Sequence, residues 1–145
     1  MFKRILVPVD GSDNALKALK LGVEMQKMTG AELMMLTVFR HHSLLEASMS
    51  MVRPDDPQNL DDAMREHARE IADAAKKAAL EMGAENPRGF VKNGPPARTI
   101  VKFGKEREVD LIVLGSRGLG DLEGYLLGSV SHKVTSLAEC PVMVV

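Results

Sequence analysis

Five of the chain's twelve glycines lie between Gly115 and Gly128, a stretch of 14 residues that joins an apolar run to a segment of helical period. Glycine admits positive φ and lets a ligand reach the backbone with no Cβ in the way. Gly128-Ser129 then opens the helical segment, whose first N–H groups, from Ser129 through Val130 to Ser131, have no acceptor inside the helix. Such an end attracts phosphate through hydrogen bonds and the helix dipole. Arg117 adds a positive charge, and the Ser129 hydroxyl can donate or cap. This composition suits phosphate binding; the plainer alternative is a mobile glycine-rich loop capped by serine. Two common phosphate motifs do not explain it. The P-loop requires a lysine at a fixed place after its glycines, and none is there. The dinucleotide fingerprint G-x-G-x-x-G belongs on the first strand-to-helix turn, which reads only Asp10-Gly11-Ser12.

Asp10 ends the first apolar run and has two compatible roles: contact with a ligand, or an acceptor that stabilises its own turn and the helix start. Other chemistry-bearing residues are less promising. His41 and His42 adjoin, so on a strand they would point oppositely, and no third metal ligand has suitable spacing. His132 follows the glycine loop and reads as a surface helix residue. Cys140 precedes Pro141 and reads as an inert thiol at the core edge, because no sequence neighbour would lower its pKa.

These residues need elements to position them. Ile5 to Val9 reads as a buried strand, with Pro8 signalling departure from the sheet near its end. Ser12 is the expected N-cap of a helix that carries Ala15, Leu16, Leu19, Val23 and Met25 on its apolar stripe and ends at Thr29-Gly30. Glu32 to Phe39 forms a second strand. Residues 40–59 form a long irregular connection holding Pro54 and Pro57, a length that is usually functional or mobile. Within it, Leu44, Leu45, Met49 and Met51 suit a lid or partner surface, and a packed mini-helix over Ser43 to Met49 is the equal alternative. A helix from about Asp61 to Met82 presents Met64, Ala68, Ile71, Ala75, Ala78 and Met82 on one face. Phe90-Val91 marks a weak third strand, and Pro95-Pro96 starts a helix with Ala97, Ile100, Val101 and Gly104 inward. Val109 to Leu114 is the clearest strand. A helix from Ser129 buries Val130, Val134, Leu137 and Ala138, and Pro141 introduces the last strand. Such β-α alternation predicts one parallel sheet, doubly wound, with helices on both faces. Ligands of such sheets bind beyond the carboxyl ends of the strands, where the strand order reverses.

Composition sets the outer bounds. The 145 residues are 45% apolar, 27% charged and 3% aromatic, with one cysteine and no tryptophan. That suits one domain over residues 1–145 and excludes dominant disorder. A net charge of -1 gives no bulk attraction to polyanions, so no nucleic-acid partner is expected. No apolar run approaches membrane-spanning length and no signal peptide is apparent, so no membrane insertion and a cytoplasmic location are expected.

Several separated segments together resemble one family. Gly115-x-x-Gly118, nine residues, then Gly128-Ser129 is similar to the G-2x-G-9x-G-(S/T) nucleotide motif of the universal stress protein family. Val7 to Ser12 resembles that family's first strand and turn, and Asp110 to Gly118 and Cys140 to Val145 resemble its later segments. The likeness spans nearly the whole chain except the stretch near residues 40–60. It implies a five-stranded, Rossmann-like sheet of the adenine nucleotide alpha hydrolase type, with strand order 3-2-1-4-5, and the family's ATP-binding branch. Carried over by position, Asp10 would contact the ribose or a phosphate-bound Mg2+ or Mn2+. Pro8 and Val9 would line the adenosine pocket, and the Val38 backbone would meet the adenine edge. Gly115 and Gly118 would lie along ribose and phosphates, with Gly128, Ser129 and Val130 gripping the terminal phosphates of ATP, ADP or AMP through N–H groups. Arg117 and Ser131 are further candidates. A regulatory role through an unidentified protein partner follows, as does a homodimer, since Val142 to Val145 would form an unprotected apolar edge. The competing enzymatic reading is a slow ATPase or nucleotidyl transferase on the same scaffold, for which the sequence offers Arg117 and Asp10 but no convincing general base.

Overall fold

The computed structural model describes residues 1–40, 57–118 and 127–145. Its elements are β1 (Arg4–Pro8), α1 (Asp13–Thr29), β2 (Glu32–Phe39), α2 (Pro57–Glu81), β3 (Arg88–Asn93), α3 (Pro96–Glu106), β4 (Leu111–Leu114), α4 (Ser129–Leu137) and β5 (Val142–Val144). The five strands pair in parallel in the order β3-β2-β1-β4-β5, the Rossmann-like arrangement expected. The loop features anticipated between residues 41 and 56, including His41, His42 and the Leu and Met lid, lie outside the described residues, as do Gly120 and Gly124.

Strand alternation divides the core in two. Ile5, Val7, Leu33, Met35, Leu111 and Val113 pack with α1 and α2 on one face. Leu6, Met34, Leu36, Ile112 and Leu114 pack with α3 and α4 on the other. Successive side chains point to opposite faces, and both faces are covered, so the central strands are apolar along their buried lengths. That is why these runs read as continuous blocks in the sequence.

At the start of α1, Ser12 Oγ accepts from the Ala15 N–H at 3.1 Å. Gly30 closes it in the left-handed region at φ 72°, as a C-cap glycine does. Its buried stripe differs from the expected one. Leu16 is 48% exposed, whereas Ala18, Gly22 and Gln26 are buried. The helix lies so close to the sheet that a Cβ on Gly22 would stand 2.7 Å from Val7 Cγ2, which demands small residues there. Gln26 is tolerated inside because its amide donates to the Ala31 and Glu85 carbonyls and accepts from the Glu85 N–H.

The second helix starts earlier than anticipated, at Pro57, a residue suited to a first helical position. Its buried ridge is alanine at 68, 72, 75 and 79, with Ile71, Ala78 and Met82 half-buried beside it. β3 is an edge strand, and its Phe90 is covered by Phe103 and by the Arg107 guanidinium, 4.6 Å from the ring centre. β5 forms the opposite edge, with Met143 and Val144 partly exposed. Leu137, expected inward on α4, is exposed. Among the described residues, no helix is long and apolar enough to cross a membrane.

Candidate functional site

The sheet opens where strand order reverses, between β1 and β4. β1 stays in register with β2 up to Pro8 and Leu36, but with β4 only as far as Leu6 and Ile112. Val9 donates its N–H to Leu36 O at 2.9 Å, on the β2 side. Backbone groups alternate along a strand, so the nitrogen of Pro8 faces β4, where a proline has no hydrogen to give. The missing donor weakens the ladder at the point where the crevice begins. Pro8 therefore marks the site rather than merely ending a strand.

A cavity of about 840 Å3 occupies this crevice, a size usual for small-molecule sites. Pro8, Val9, Asp10, Val38, Gly115, Arg117, Gly118, Ser129, Val130 and Ser131 all border it. The tertiary structure thus brings together segments more than 100 residues apart. Gly128 alone among the anticipated residues does not border the cavity.

Several anticipated roles change once hydrogen bonds are followed. The Gly128 N–H donates to Ser116 O at 2.6 Å, so this amide is committed within the protein and cannot grip a phosphate. Its carbonyl accepts from the His132 N–H and starts α4. The Ser131 side chain is buried and donates to Gly115 O at 2.6 Å, which ties the end of β4 to the first turn of α4. Gly115 is required by packing: a Cβ there would lie 2.8 Å from the carbonyl carbon of Asn14. The close approach that excludes a side chain at Gly115 is to α1, and the same residue borders the cavity.

What remains for a ligand is well defined. The N–H groups of Ser129, Val130 and Ser131 meet no acceptor among the described residues, and α4 has no side-chain N-cap. Free amides at a helix start carry partial positive charge toward the cavity. Arg117 borders the same space. Asp10 Oδ1 accepts from the Ser12 N–H at 2.9 Å, and Gly11 takes φ 87° to make that turn. The carboxylate thereby fixes the start of α1 while bordering the cavity. Among the described residues no cluster of three or more His, Cys, Asp or Glu could hold a metal ion.

Sequence reasoning missed the far wall. Thr37 borders the cavity from β2, and Met64, His67, Ala68 and Ile71 border it from α2. Thr37 left a signal, as a hydroxyl inside the otherwise apolar run from Leu33 to Phe39. The α2 residues left none, because helix periodicity shows which side faces inward but not which turn overhangs the strand ends. His132 and Cys140 do not border this cavity. His132 is exposed, and burial pushes the Cys140 thiol above its ordinary range, with Asp110 adding to the effect.

Comparison with known proteins agrees with this architecture. The model described as the universal stress protein family matches residues 1–145. The chain is similar to universal stress protein YxiE of Bacillus subtilis, with 39% identity over 148 aligned residues covering 100% of this chain and 99% of that one. Among solved structures it resembles universal stress protein UspA from Lactobacillus plantarum, with TM-score 0.83, 29% identity and coverage of 99% and 97%. It also resembles a universal stress protein in complex with cAMP, with TM-score 0.72, 25% identity and coverage of 99% and 96%.

Proposed function

The chain belongs to the universal stress protein family, and from that premise we propose that it is a single-domain regulatory protein that binds ATP. The observation that carries this reading is the set of unpaired amides at Ser129, Val130 and Ser131, facing a cavity large enough for a nucleotide. Ser129 and Val130 hold the terminal phosphates through those N–H groups, and Arg117 supplies a compensating charge. Hydrogen bonds to a charged group contribute about 1.5–3 kcal/mol each, so two or three of them suffice to orient the anionic end. Pro8, Val9 and Val38 line the adenosine side. The cAMP complex of a similar protein supports an adenine nucleotide as the ligand class, and AMP or ADP would use the same wall.

Asp10, between the phosphate and adenosine ends, contacts the ribose or one face of a phosphate-bound Mg2+ or Mn2+. The described residues hold no metal-ligand cluster of their own, so among them Asp10 is the one that would meet the cation, and the phosphates carry it. In this reading the protein resides in the cytoplasm and passes the nucleotide state to a protein partner. It acts as a homodimer joined through β5, whose outer edge has no neighbouring strand among the described residues.

The test is direct. Denaturing the purified protein and identifying released nucleotide by mass spectrometry should yield an adenine nucleotide. Calorimetric titration of the stripped protein with ATP should then show saturable binding. Absence of both overturns the proposal.

A further inference from the structure

Thr37 is 3% exposed, and its hydroxyl has no hydrogen-bond partner among the described residues. The neighbours on its strand, Leu36 and Val38, pack toward α3 and α4, so alternation turns Thr37 toward the α1 and α2 face. There the residue borders the cavity beside Ala68 and Ile71; its hydroxyl oxygen is itself closed off from solvent, so a turn about χ1 must bring it to the cavity, and in this apolar setting an unmet hydroxyl is costly. β2 tolerates this cost in a position where valine would fit equally well.

The location says what would meet that hydroxyl. The phosphate-binding amides stand at the β4 side of the crevice, and β1 with Asp10 lies between them and β2. Two strand spacings, about 10 Å, separate β4 from β2, a span comparable with that of a nucleoside. A ligand anchored by its phosphates at α4 therefore brings its base to β2. We infer that the Thr37 hydroxyl is a specificity-determining contact, hydrogen-bonding the polar edge of the base in the bound nucleotide. A hydroxyl both donates and accepts, so it can pair with the adjoining donor and acceptor of an adenine edge. This inference rests on the nucleotide-binding reading above and adds a residue to it.

Calorimetry on the full chain tests it, with ATP and tripolyphosphate as ligands. Thr37→Val keeps the shape and should weaken ATP binding about tenfold. Tripolyphosphate, which has no base, should bind wild type and variant alike. The melting temperature should hold or rise, because an unmet buried hydroxyl has been removed. Thr37→Ser should retain ATP affinity within about threefold, and Thr37→Ala should lose it as valine does. Unchanged ATP affinity in T37V and T37A, with wild type binding normally, overturns the role of Thr37 and leaves the nucleotide reading intact. Equal weakening toward tripolyphosphate also overturns it, since the effect would not lie at the base. Wild type failing to bind ATP overturns the nucleotide reading itself, before any variant is compared.

Discussion

Gly115→Ala is the most informative single perturbation, because it separates a glycine needed for packing from one needed for a ligand. The added Cβ would lie 2.8 Å from both the carbonyl carbon and the Cβ of Asn14, and 2.9 Å from its carbonyl oxygen. Comfortable carbon contacts begin near 3.5 Å, so the end of β4 and the first turn of α1 must part by roughly 0.7 Å. Neither side moves freely. Gly115 O is held by Ser131 Oγ, and the following Ser116 N–H is held by Val145 O at 2.7 Å. On the α1 side, Ser12 caps the helix and Asp10 fixes the turn before it. Overpacking of this kind costs about 1–3 kcal/mol. For 145 residues, each kcal/mol corresponds to roughly 3 °C of melting temperature. The variant should therefore melt roughly 3–9 °C below wild type in a calorimetric scan without ligand. Asn14→Gly in the same chain should restore only part of the loss, since two of the three close atoms belong to the Asn14 backbone. A ligand-free G115A protein that melts within 1 °C of wild type, within the error of roughly 0.3 kcal/mol, yet has lost ATP affinity would refute the packing explanation. It would return Gly115 to the role the motif alone suggested.

Three further outcomes follow from particular contacts. Ser12→Ala removes the acceptor for the Ala15 N–H and should lower stability by about 1 kcal/mol in chemical denaturation, with Ser12→Asp restoring most of it. In β5 the Pro141 and Val145 carbonyls and the Val145 N–H face β4, so the Val144 N–H points outward. Val144→Pro should therefore leave the sheet intact by circular dichroism while shifting the proposed dimer to monomer in light scattering; a persistent dimer would place the interface elsewhere. The Cys140 thiol, raised in pKa by burial, stays protonated at neutral pH. Iodoacetamide should label the native protein more slowly than the unfolded chain at pH 7.5, with the rate climbing as pH rises through the alkaline range; equal rates would show the thiol to be unburied.

Much of this protein was legible in its sequence, for reasons that are local. Blocks such as Ile5-Leu6-Val7 and Leu111-Ile112-Val113-Leu114 require cover on both faces, and alternation with helical segments leaves a doubly wound parallel sheet as the economical solution. Ser12 and Gly30 carried their own capping chemistry. The spacing from Gly115 through Gly118 to Gly128-Ser129 picked out the β4–α4 connection that borders the cavity, and Pro8 marked the strand that leaves the ladder. Tertiary structure alone decided how those residues divide the work. Gly128 commits its amide to Ser116, Ser131 spends its hydroxyl on Gly115, and Gly115 is glycine because Asn14 is 2.8 Å from where a Cβ would be. It also decided that Leu16 faces solvent while Gly22 and Gln26 go inside, and that α2 and Thr37 build the far wall of the cavity. Periodicity and motif spacing encode which residues are neighbours within an element. The distance between elements depends on the volumes of every side chain packed between them, a property of the assembled core that no short stretch of sequence contains.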